Sequence, residues 1–144
     1  MRRFLSRFRR DRKGSVVVEF AMVGPILIGM FLGVLQLGIG MQNYNALRGI
    51  SADVARYAVV NYQTSTRLTT SQLEDYAKGR ASNAPYGLVR SRYAVTVANA
   101  TTQRVAGATE YTISMTYRIP TMLAIFGIQD VPISFSRPIF VIAT

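Results

Sequence analysis

Between residues 20 and 47 the chain carries no charged side chain. The apolar part of this stretch, with its lead-in, is VVVEFAMVGPILIGMFLGVLQLGIGM at residues 16–41. About 20 mainly apolar residues, each rising 1.5 Å, cross a bilayer, and residues 20–41 meet that length. A core helix of a soluble domain turns one face to water, whereas this run is apolar on every face. A secretory signal has an apolar region of about 7–15 residues and a small-residue cleavage site. This run is longer, and Met41, Gln42 and Asn43 offer no A-x-A pattern. One membrane-spanning helix is therefore expected at 15–41, with a folded head at 42–144.

The net charge of +10 is unevenly spread. Arg2, Arg3, Arg7, Arg9, Arg10, Arg12 and Lys13 face one acid, Asp11, so residues 1–14 supply +6 of it. Basic residues beside a span hold that flank on the cytoplasmic side, and anionic headgroups attract them. The leader is thus expected in the cytoplasm and the head in the periplasm. Cysteine and histidine are both absent. That excludes disulfides, Cys/His zinc sites, Ser-His-Asp triads and Cys-His dyads. The acids beyond the leader are scattered without metal-ligand spacing, so neither an enzyme nor a cofactor is expected.

The helix is expected to continue past the membrane. Leu47, Ile50, Ser51, Val54, Ala55 and Ala58 follow i, i+3, i+4, i+7 spacing. A helix over residues 15–61 would be about 70 Å long, with an apolar stripe on its outer half, 42–61. Ser71 and Glu74 have the spacing of a capping box, which predicts a short helix at 72–82 ended by Pro85 and Gly87. The last third changes period. Tyr93, Val95 and Val97, then Tyr111 through Ile119, then Val131, Ile133 and Phe135, alternate with small or polar residues. Period 2 with β-branched and aromatic residues predicts strands at 90–98, 109–119 and 131–142. Pro132 and Pro138 cannot donate ladder bonds, which predicts an edge or a bulge for the last strand. The expected fold is α+β: a long N-terminal helix packed on a three-stranded antiparallel sheet.

Two oddities sit where the span begins, in Lys13-Gly-Ser-Val-Val-Val-Glu-Phe. Gly14 lies at the membrane edge, where an open backbone suits proteolysis. Glu19 is a carboxylate in an apolar stretch. On insertion scales an acid at mid-span costs about 2.5–3.5 kcal/mol, less near the end, and such acids are functional candidates.

These residues resemble the processing site of type IV-type prepilins, in the Flp and TadE branch of the tight-adherence (Tad) pilus system. Asn45-Ala-Leu-Arg and Ala52-Asp-Val-Ala-Arg-Tyr-Ala also resemble the segment after the span in TadE-like proteins. The resemblance covers about residues 10–60. It implies cleavage between Gly14 and Ser15 by a membrane aspartyl prepilin peptidase. It also implies a hallmark role for Glu19, with Phe20 at the aromatic position that follows. Major Flp pilins are little more than the helix, and type II pseudopilins usually begin Phe-Thr. A chain with a head, beginning Ser-Val, therefore resembles a TadE-like minor pilin or pseudopilin. The partners implied are the peptidase, other pilin subunits with their assembly machinery, and the inner membrane.

Cleavage would free an α-amino group on Ser15, with a pKa of about 7.7–8.0 in water. Near Glu19 of its own or a neighbouring subunit, at about 4 Å and an effective dielectric near 20, it would attract by roughly 4 kcal/mol. Gly24, Gly29 and Gly33 punctuate the span, and Gly29-x-x-x-Gly33 matches a close-packing pattern of membrane helices. Pro25 is expected to kink or locally melt the helix. Gln36 could bond across helices or sit near headgroups. Two other functions fit the residues: an uncleaved signal-anchored protein with a small periplasmic binding head, and a DNA-uptake pilin. No specific nucleic acid is expected, because the head arginines read as solvated strand faces.

Overall fold

The structure is a computed structural model that describes residues 12–64, 67–124 and 127–142. Helix α1, Arg12–Gln63, is one continuous element through Pro25. At 1.5 Å per residue it extends about 78 Å. Its outer half repeats the predicted stripe: Leu47, Ile50, Ser51, Val54 and Ala58 are buried, while Ala55 is half-buried.

That stripe is covered by a three-stranded antiparallel sheet in the order β1-β2-β3. The strands are Tyr93–Asn99, Ala108–Ile119 and Val131–Ile142. Tyr93 pairs with Tyr117 and Val97 with Ile113; Met115 pairs with Phe135 and Tyr111 with Ile139. This register puts Val95, Val97, Ile113, Met115, Tyr117, Ile139 and Val141 on one face, all buried. The opposite face carries Thr96, Ser114, Thr116 and Ser136, all exposed, and Ser114 hydrogen-bonds across to Ser136 at 3.1 Å. Expectation and structure agree on an α+β fold.

Two distances fix how α1 lies on the sheet. A Cβ placed on Gly40 would sit 3.7 Å from Ile119, and the Tyr62 hydroxyl meets Thr109 at 3.1 Å. Between these points α1 advances about 33 Å and β2 about 34 Å. The helix therefore runs alongside β2 in the opposite sense, and the end of β2 at Ile119 faces the apolar half of α1.

Helix α2, Thr70–Ser82, covers β1 through Leu73, Ala77 and Ala81, all buried. Its cap departs from the expected Ser71–Glu74 box. Thr69 caps the Gln72 amide, and the Gln72 side chain returns to the Thr69 amide at 2.8 Å. The same spacing thus occurs two residues upstream. Glu74 instead accepts the Val97 N–H of edge strand β1 at 2.9 Å. A carboxylate there satisfies a donor that a fourth strand would otherwise take. The other edge is β3, as its two prolines predicted. Six residues apart, Pro132 and Pro138 turn their nitrogens to the same side of the strand, away from β2.

Truncating Leu47 tests the stripe. Leu47→Ala removes a fully buried side chain and should cost about 2–5 kcal/mol, whereas Ser114→Ala on the open face should cost less than about 0.5 kcal/mol. Chemical unfolding of the full chain in detergent reads both, and equal midpoints would contradict this packing.

Candidate functional site

The first turns of α1 contain every residue the sequence singled out for processing. Residues 12–15 are helical, so the backbone at Gly14 is not open as expected. Residues 1–11 of the leader lie outside the described residues. Gly14 inside a helix costs about 0.5–1 kcal/mol relative to alanine.

Glu19 and Phe20 lie on the helix surface, and Phe20 is 74% exposed. The Phe20 ring lies over Gly24, where an added Cβ would meet it at 3.8 Å. Ser15 and Glu19 are four residues apart, about 6 Å along the helix axis. Around Gly33 a Cβ would meet nothing within 4 Å, leaving that side of the helix open to a neighbour. In the most apolar window of α1 only 6% is buried. The helix is long and apolar enough to cross a membrane, and its exposure excludes a buried core helix.

Gln36 has a role that neither sequence expectation covered. Its Nε2 donates to the Pro120 carbonyl at 3.2 Å, and its Oε1 accepts the Met122 N–H at 3.0 Å. The one uncharged amide of the apolar run thus holds the loop that follows β2. Asp130 closes the same loop, accepting the Thr121 N–H at 3.1 Å and Arg92 at 2.6 Å. The Thr121 amide, followed by Arg92, holds the Asp130 carboxyl below its usual range.

The head's other acids are also engaged, all but Asp75 between elements. Asp53 on α1 accepts Arg80 Nη2 of α2 at 2.6 Å and the Tyr86 hydroxyl at 3.2 Å. Gly49 makes this possible, since a Cβ there would lie 2.6 Å from the Tyr86 ring. Asp75 pairs with Lys78 at 3.3 Å. Glu110 is buried at 2% exposure and binds Arg104 of the β1–β2 connection, whose backbone N–H also donates to it at 3.1 Å. Sequence reading missed the ties between elements because their partners are 6–38 residues apart. A glycine in the buried half of α1 was the one available signal. Among the described residues no group of three or more acids is placed to hold a metal ion.

Compared with known proteins, residues 14–56 match the model of the TadE-like protein family. No curated protein and no solved structure matches the chain. The match starts at Gly14, takes in Glu19, Phe20 and the whole apolar run, and ends at Arg56, before the sheet. This segment is TadE-like, as its motifs implied, and it covers under a third of the 144 residues.

Glu110 makes folding sensitive to acid. Its bond to Arg104 outweighs burial and lowers its pKa below the ordinary 4.5. Folding therefore favours the ionised form. That contribution is complete above the unfolded value and is lost as pH falls through the lower folded one. The unfolding midpoint should drop as pH falls below about 4.5, and Glu110→Gln should lower it at neutral pH while flattening the drop. Parallel pH profiles would contradict this assignment.

Proposed function

We propose that this chain is a TadE-like minor pilin or pseudopilin of a tight-adherence pilus, matured by cleavage after Gly14. The observation that carries the reading is the family match, which begins at that glycine and includes Glu19 and Phe20. The basic leader would lie in the cytoplasm, the span in the inner membrane and the head in the periplasm.

Assembly would then be electrostatic and steric. The new Ser15 ammonium and Glu19 form a pair across subunits or within one, offsetting the cost of a carboxylate in an apolar setting. Neighbouring helices approach along the open side at Gly33, with Gly29 one turn before it. Pro25 lowers the cost of bending as a subunit leaves the bilayer. The head's five acids are committed to internal ties, which fits a building block rather than a catalyst. The expected partners are the peptidase, other pilin subunits and the assembly machinery.

Glu19→Ala separates assembly from insertion. The variant should insert into the membrane and be cut normally, yet its amount in sheared pilus fractions should fall about tenfold or more, as losing about 1.4 kcal/mol or more requires. Incorporation at the wild-type level, read by quantitative immunoblotting, would remove the assembly role of Glu19.

A further inference from the structure

The head does not begin where the apolar run ends. Gln36, five residues before Met41, is already bonded to the loop after β2. This loop carries Met122 and Ile128, which are 48% and 45% exposed, and Val131 beside it is 42% exposed. An apolar groove of about 380 Å³, lined by Leu37, Met41, Ile119, Val131 and Ile133 among others, lies between α1 and the sheet and joins Val131 to the surface of the span.

The depth of Gln36 follows from the bilayer. If the span were 20–41, Gln36 would lie about 8 Å inside the hydrocarbon and would carry an irregular loop in with it. Lipid-exposed irregular backbone does not occur there, because its polar groups find no water. If the span instead starts at residue 16, about 20 residues bring its far boundary to residue 35. Gln36 is then the first residue at the interface, and the loop lies in the zone where apolar side chains can enter while backbone stays hydrated. The charges agree with this placement. Arg90, Arg92 and Arg118 stand at the same end of the sheet, because Tyr93 pairs with Tyr117. Among the described residues Asp130 is the acid that opposes them there, bound to Arg92 at 2.6 Å.

We propose that Met122 and Ile128, on the described parts of the loop after β2, make a second membrane contact: Gln36 marks the outer hydrocarbon boundary, Met122 and Ile128 enter the headgroup–acyl boundary, and Arg90 and Arg118 meet anionic headgroups. The partner is the bilayer surface, continuous with the apolar helix that already crosses it. The head is thereby seated on the membrane and does not swing on α1. This inference rests on α1 spanning a bilayer and not on the pilus reading, so either can fail alone.

The chain has no cysteine, so one introduced thiol is a unique label. Met122→Cys and Ile128→Cys, each bearing an environment-sensitive fluorophore, would be reconstituted as full chains in phosphatidylcholine vesicles. Vesicles with and without phosphatidylglycerol would be compared, each containing a lipid spin-labelled just below the headgroup. Both labels should be quenched several-fold more than one at Thr102→Cys, at the far end of the sheet. Gln36→Ala should lower the quenching at position 122. Phosphatidylglycerol should raise it, and Arg90→Glu with Arg118→Glu should abolish that rise. Because both label sites are exposed, one variant that misfolds leaves the other to decide. Quenching at 122 and 128 no greater than at 102 would overturn the proposal. So would shielding that vanishes on dilution with lipid, since a second copy of the chain would then be the true cover.

Discussion

The helix α1 has two solvents, and that demand governs the rest of the molecule. Over residues 16–35 nearly all its side chains are apolar and exposed, a surface suited to lipid rather than to water. From Leu47 onward only one stripe is apolar, and Leu47, Ile50 and Val54 disappear completely under the sheet. Burying each such side chain contributes about 1.5–3 kcal/mol. The change from an all-round to a one-sided pattern sets the height at which the head can sit. The matched runs of α1 and β2 then fix its direction, so one continuous helix joins the apolar half of α1 to the head without a linker.

Polar groups in this chain act as fasteners. Gln36 satisfies two backbone groups of the loop after β2, and Glu74 satisfies one amide on the edge of β1. Asp53 ties α1 to α2 and to Tyr86, and Asp130 ties that same loop to Arg92. Most of these pairs are partly exposed, where an ion pair contributes about 0–1 kcal/mol. Their value lies in choosing one arrangement among several apolar packings. Glu19 differs in its place, on the exposed surface of the apolar half of α1 rather than between elements of the head.

The architecture was legible because it is written in periods. The stripe at Leu47, Ile50, Val54 and Ala58 has helical spacing, and Tyr111 through Ile119 alternates in strand fashion. Pro132 and Pro138 mark an edge strand because a missing N–H has chemical meaning without any knowledge of the fold. The likeness to the TadE-like family was legible because its motifs lie within one contiguous stretch of the chain. Contacts made by distant partners were not. Nothing local distinguishes Thr69–Gln72 from Ser71–Glu74 as a cap, and only the fold brings Glu74 to Val97. Gln36 was noticed as a polar residue in an apolar run, but its partner lies 84 residues away.

Maturation at the Gly14–Ser15 bond is the claim on which the proposed function turns, since it creates the charge that Glu19 would meet. Intact-mass spectrometry of the native polypeptide, extracted from the membranes of cells with an active prepilin peptidase, tests it most directly. The mass expected is that of a chain beginning at Ser15. A chain that still carries the arginine-rich leader would contradict it.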